Sequence, residues 1–327
     1  MLARRQRALC DDAALTKEYT GMQHNKDLID PALRAPLEQF PGLDITRENV
    51  AQIRAGMAAM PKPETPFPIL AQEMNVAGEV DVPVIVYRES DRPNQAALLW
   101  IHGGGYLFGS ADDERAKSIA HTHDCTVVSV DYRMAPEHPF PAGPNDCHAV
   151  LNWMFSDACP LDIDRARIAI GGASAGGGMS AGLALMNRDT ENHPVVFQLL
   201  IYPMIDNLHA TDSGGLEGHA IWNRKTSFNA WEMYLDGVPG ETASPYAAAT
   251  RARDLSGLPP AYVCVGAEDL FRDEDIAYAQ RLIAAGVPTE LTVVPGMYHA
   301  GESMAPEAPV SQRLTQSILT AIGHALA

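Results

Sequence analysis

Apolar positions along the chain change their period twice. Val50, Ile53, Met57 and Met60 recur at helical spacing, with Thr46 placed to cap the start of that helix. Prolines at 61, 63, 66 and 68 then form a linker that cannot continue a helix. From about residue 73 the texture becomes strand-like. Val80, Val82, Val84 and Val86 alternate, the period-2 mark of a half-buried strand. Continuous apolar runs follow at 96–101, 126–130, 167–170, 197–201, 262–265 and 291–294. Short runs without alternation suit parallel strands covered on both faces. Helix-like stretches lie near 112–123, 145–156, 176–188, 274–285 and 307–326. Strand alternating with helix predicts an α/β fold with a mostly parallel central sheet flanked by helices. One segment, about 205–250, breaks the rhythm and reads as an insertion able to fold over the strand ends; it carries Trp222, Phe228, Trp231 and Tyr234 among glycines and polar residues.

Composition narrows the partners. With 46% hydrophobic and 20% charged residues, 327 residues can bury a sizeable core. A net charge of −17 repels nucleic acid and anionic membrane surfaces. The cysteines at 10, 125, 147, 159 and 264 are odd in number and lack a C-x-x-C pair, which suits free thiols in a reducing compartment. Arg4, Arg5 and Arg7 are followed by Asp11 and Asp12 where a signal peptide would need an apolar run. No stretch reaches the ~20 apolar residues that span a bilayer. The expectation is a cytoplasmic protein without integral membrane association. His121-x-His123 is the closest histidine pair, but i,i+2 residues diverge on a helix, so no metal site is expected there.

Gly172-Ala173-Ser174-Ala175-Gly176 matches G-x-S-x-G. A chance match arises in roughly one of ten chains of this length, so context decides. The motif follows the strand-like 167–170 run and opens a small-residue helix, the setting of a nucleophile elbow. His102-Gly103-Gly104-Gly105 follows the 96–101 run; its glycines let main-chain N–H groups face a cavity, where with that of Ala175 they can hold an oxyanion. Asp131–Ala142, with three prolines, reads as a rigid loop supporting the site; a direct role for Glu137 or His138 is the less favoured alternative.

These three motifs, in this order, resemble the hormone-sensitive-lipase-like esterases, the bacterial family IV of lipolytic enzymes, over about residues 75–326. The resemblance extends to Gly266–Glu274, similar to the family's D-x-L-x-D-E segment, whose first Asp falls on Asp269 and is the triad acid. It extends also to Pro295–His299, similar to the G-x-x-H segment, which places the base at His299. Asp273 and Asp275 compete for the acid role. The family register favours Asp269 and leaves Asp273 to hydrogen-bond main chain or cap the next helix. Ala173 and Ala300 depart from the residues common beside the family's nucleophile and base, without removing a catalytic atom.

The resemblance implies an α/β-hydrolase fold with a helical cap built from residues 1–70 and the 205–250 insertion, the remainder of 71–327 forming the catalytic domain. It implies a Ser174–His299–Asp269 triad, an oxyanion loop at Gly103, Gly104 and Gly105, no cofactor, and small esters with acyl chains of about C2 to C8 as substrates. Trp222, Phe228, Trp231 and Tyr234 either line the substrate pocket or merely hold the cap to the core. Relatives often pair through the edge strand near the C-terminus, so a homodimer is an expectation by resemblance. The same triad also serves deacetylases and amidases. Hydrolase-fold receptors that bind without cleaving form a third class, but they lack a working triad.

Overall fold

The computed structural model describes residues 24–40, 42, 44–59 and 64–327. Met60, Pro61, Pro63, Cys10 and the Arg4–Asp12 stretch lie outside those residues. In chain order the first elements are α1 (Arg34–Gln39), α2 (Val50–Ala58), β1 (Leu70–Val76), β2 (Val82–Arg88) and β3 (Gln95–Ile101). Next come α3 (Glu114–His123), β4 (Thr126–Val130), α4 (Ala142–Phe155), β5 (Ile163–Ala173) and α5 (Ala175–Asp189). Then follow β6 (Gln198–Ile201), α6 (Asp212–Gly215), α7 (Arg224–Leu235), β7 (Ala261–Gly266) and α8 (Arg272–Ala284). The chain closes with β8 (Thr289–Val294), α9 (Gly301–Met304) and α10 (Pro309–Leu326).

The eight strands form one sheet in the order β1-β2-β4-β3-β5-β6-β7-β8. β2 is antiparallel to both β1 and β4, and the strands from β4 to β8 run parallel. Every residue of β3 is buried. Ala97, Leu99 and Ile101 join the core on one face, Ala96, Leu98 and Trp100 the core on the other. That is why the run shows no alternation: both faces are covered. α4, α5 and α8 cover the first face, and α3 and α10 the second. Each such Leu, Ile or Val contributes roughly 1.5–3 kcal/mol on burial.

The five helices expected after residue 110 are all present. Three local expectations need correction. Val80 precedes β2 and is 42% exposed, and the strand it was expected to open pairs with an unforeseen partner, β1. β1 is mostly exposed, and the apolar Leu70, Met74 and Val76 on one face are interrupted by Gln72, so its pattern is faint; main-chain pairing with β2 defines it. β8 reads as a fully covered strand yet forms the sheet edge, with Val293 37% exposed. Thr46 stands one turn ahead of α2: its carbonyl accepts the Val50 N–H at 3.0 Å.

Adjacent β3 and β5 send their chains to opposite faces, towards α3 and α5 respectively. A crevice outside the carboxyl ends of two such strands is where open α/β sheets bind ligands. Segments from both ends of the chain's order converge there. Asp30 donates its N–H to the Gly296 carbonyl, and Asn229 of α7 reaches the Ile45 carbonyl. Arg54 of α2 donates to the Leu107 and Ala135 carbonyls and pairs with Glu137 at 2.8 Å.

Candidate active site

Ser174 occupies the single residue between β5 and α5, at φ +57° and ψ −119°. A non-glycine residue there costs about 1–3 kcal/mol, so its surroundings must fix it. They do so through main-chain bonds. The Ser174 N–H donates to the Ile201 carbonyl at 2.8 Å, and its own carbonyl accepts from Gly178 and Met204, each at 2.9 Å. The flanking glycines are steric necessities. A Cβ on Gly172 would stand 2.4 Å from the Ile101 oxygen.

Two loops at the ends of β7 and β8 meet this turn. Ser174 Oγ lies 2.9 Å from His299 Nε2, and His299 Nδ1 lies 2.8 Å from Asp269 Oδ2. The other Asp269 oxygen accepts the Phe271 N–H at 3.0 Å. Ser174, His299 and Asp269 are 8%, 5% and 1% exposed. Asp269 thereby has both oxygens engaged, and its bond to Nδ1 leaves Nε2 the nitrogen that faces the hydroxyl. Of the competing carboxylates, Asp273 accepts the Ser213 N–H at 2.7 Å and pairs with Arg272. It thus ties the 205–250 insertion to the acid loop rather than capping α8. Asp275 is fully buried, and among the described residues neither of its oxygens has a hydrogen-bond partner.

The glycine loop after β3 lies against the nucleophile. A Cβ on Gly103 would come within 3.4 Å of the Ser174 Cβ. Gly104 and Gly105 adopt φ of +115° and +60°, and a Cβ on Gly104 would strike the Phe108 carbonyl oxygen. Ala175 is the first residue of α5, where N–H groups have no intrahelical partner and the helix dipole favours negative charge. His102, stacked 4.3 Å from Tyr132, is held neutral by burial, which depresses its basicity.

The four aromatic residues of the insertion divide. Trp222 reaches the site: its ring edge would collide with a Cβ on Gly105, and its centroid is 6.4 Å from that of His299. Trp231 and Tyr234 are buried against Tyr106, at centroid distances of 5.2 and 3.9 Å. Phe228, 42% exposed on α7, stands outside that cluster. Glu137 and His138 are exposed, and Glu137 is engaged by Arg54, so the 131–142 loop meets the site through Tyr132, while Arg133 anchors the loop to α4. Arg133 grips the buried Asp146 through its side chain and main-chain N–H, and the Tyr132 hydroxyl donates to the His102 carbonyl. His121 pairs with Glu89, while His123 packs beside Gly323.

Several residues around the site escaped sequence reasoning. His24 binds Glu268, beside Asp269, at 2.8 Å, and its ring lies 4.7 Å from that of His219. Arg115, Tyr202 and Glu302 form a network against His299. Nothing local in the sequence marks either group, because their partners are far apart along the chain.

A family model described as alpha/beta hydrolase fold matches residues 98–302. The carboxylesterase NlhH of Mycobacterium tuberculosis is 37% identical over 307 residues, 91% of this chain and 96% of that protein. Among solved structures, a bacterial heroin esterase is similar with a TM-score of 0.84 and 36% identity, covering 92% of this chain and 99% of that one. Esterase LipW of Mycobacterium marinum gives a TM-score of 0.82 and 35% identity, covering 93% and 98%. This chain belongs to the hormone-sensitive-lipase-like esterases of the alpha/beta hydrolase fold.

Proposed function

We propose that this chain is a carboxylic ester hydrolase in which Ser174 is the nucleophile, His299 the general base and Asp269 the orienting acid. The observation that carries the reading is the continuous relay from Oγ to Nε2 at 2.9 Å and from Nδ1 to the carboxylate at 2.8 Å. The carboxylesterase and esterase names of the relatives support the same class.

Nε2 takes the Oγ proton as Oγ bonds to the ester carbonyl carbon, and the carbonyl electron pair moves onto oxygen. The N–H groups of Gly104, Gly105 and Ala175 receive that oxyanion, with Gly103 shaping the loop. Collapse expels the alcohol, which leaves with the proton from Nε2. Water then attacks the acyl-Ser174 bond with His299 again as base, releasing the acid. None of these steps calls for a metal or organic cofactor.

Trp222 walls the site over the glycine loop, and Trp231 and Tyr234 hold the 205–250 cap to the core through Tyr106. Phe228 contributes to the cap surface. A nucleophile only 8% exposed, with Trp222 close by, favours short to medium acyl chains of about C2 to C8. Turnover of p-nitrophenyl esters from C2 to C16, beside a matched anilide, tests this. Best turnover at C12 to C16 would refute the chain-length reading, and faster cleavage of the anilide would make the enzyme an amidase.

A further inference from the structure

His299 is held by more than Asp269. The Tyr202 ring meets the imidazole at a centroid distance of 4.9 Å and an interplanar angle of 69°, and Phe271 meets it at 5.1 Å and 86°. Tyr202 directly follows β6, whose Ile201 carbonyl fixes the Ser174 N–H, and its own N–H donates to the Cys264 carbonyl at 2.7 Å. Its hydroxyl donates to Glu302 Oε1 at 2.6 Å. Glu302 lies on α9, three residues beyond His299, and is 6% exposed. Arg115 of α3 closes the group, with Nη2 2.7 Å from Glu302 Oε1, 2.6 Å from the Tyr202 hydroxyl, and in contact with Ser303 Oγ.

We propose that Arg115, Tyr202 and Glu302 are positioning residues for His299: a charge-balanced clamp that holds the base loop on the strand beside the nucleophile and keeps net charge away from the imidazole. The inference rests on His299 being the general base. An aromatic ring alone would pack against the imidazole, but the hydroxyl, carboxylate and guanidinium fix that ring to the helix that carries His299 onward. Burial alone would raise the Glu302 carboxyl; Arg115 and the Tyr202 hydroxyl outweigh it and hold it below its usual range. Burial, opposed by Arg115 but reinforced by Glu302, keeps the Tyr202 phenol protonated. Glu302 is therefore an anion whose charge Arg115 cancels. The other titratable or charged groups near His299 include Asp269 on Nδ1 and, beyond it, Glu274 and Asp275 of α8, His219 and the His24–Glu268 pair.

The clamp is tested with pH profiles of kcat/KM for p-nitrophenyl acetate. Glu302→Gln keeps the shape but leaves the Arg115 cation uncompensated, and that charge disfavours the imidazolium. The acid limb of the profile should move to lower pH by about half a unit or more, as one charge at this range produces in a protein interior. Adding Arg115→Met in the double variant removes both charges and should return the limb to its wild-type position. Tyr202→Phe keeps the ring but frees it from Glu302, and should lower kcat about three- to ten-fold at unchanged KM. Calorimetry and stoichiometric labelling by a fluorophosphonate establish that each variant is folded. A limb unmoved in folded Glu302→Gln, or not restored in the double variant, overturns the charge balance. Should Glu302→Gln not fold, wild-type kcat in Tyr202→Phe overturns the clamp. Ser174→Ala separates the two readings: turnover at the wild-type rate there overturns the esterase mechanism, whereas a Ser174→Ala crippled by orders of magnitude with an unmoved limb in Glu302→Gln overturns only the clamp.

Discussion

Gly176 backs directly onto Ile101: a Cβ on Gly176 would stand 1.9 Å from the Ile101 carbonyl oxygen. The contact joins the first turn of α5 to the end of β3, and so sets the distance between the serine turn and the glycine loop. Because the clash is with main chain, no rotamer change relieves it. Gly176→Ala should destabilise the fold by about 1–3 kcal/mol, the range of overpacked core sites. A calorimetric Tm within a degree of wild type would show that α5 and the end of β3 can separate freely.

Asp269 fixes the tautomer of His299 as well as its position. Asp269→Asn keeps the size and the acceptor for the Phe271 N–H, but its amide can present a donor to Nδ1 and leave Nε2 protonated. We expect kcat to fall by about 10³–10⁴ with little change in KM or Tm. Steady-state kinetics on p-nitrophenyl butyrate provide the check, and a loss below ten-fold would remove Asp269 from the relay.

Trp222 borders both the glycine loop and the base. Trp222→Ala opens space beside the nucleophile, so the ratio of turnover on C10 to that on C4 esters should rise about ten-fold, as a few methylene-sized increments of pocket allow. Phe228→Ala, on an exposed face of α7, should leave that ratio unchanged.

Asp275 is buried with neither oxygen hydrogen-bonded among the described residues, and burial, then the charges of Glu274 and Asp269, push its carboxyl well above the usual range. The folded state therefore keeps a proton that the unfolded chain releases. The unfolded state binds fewer protons at this site, so stability falls as pH rises above the ordinary carboxylate range. Asp275→Asn removes that dependence. It should stabilise by about 1 kcal/mol or more at pH 8 and by less at pH 5, measured by urea unfolding at both values. Equal or opposite effects would mean that the buried carboxyl is ionised and compensated.

What the sequence made legible follows from local chemistry. Strands such as β3 and β5 are runs long enough to identify alone, and Gly172 and Gly176, two residues either side of Ser174, are dictated by the tight strand-to-helix turn. β1 was missed because its side chains are mostly exposed, and β8 was misjudged because an apolar run does not tell whether a helix covers it. Asp269 and His299 came from family resemblance, since acid and base carry no spacing signal. The Arg115–Tyr202–Glu302 clamp joins positions 87, 100 and 187 residues apart, so only the folded sheet brings it together. His24, 244 residues from Glu268, escaped for the same reason.

The most direct test is to trap the covalent intermediate. Enzyme mixed with a p-nitrophenyl ester is acid-quenched within the first turnovers, and its peptides are read by mass spectrometry, with a fluorophosphonate adduct as reference. The account predicts one acyl group on the peptide containing Ser174, and none in Ser174→Ala. Hydrolysis at wild-type rate by Ser174→Ala, or an acyl or phosphonyl adduct confined to another residue, would contradict it.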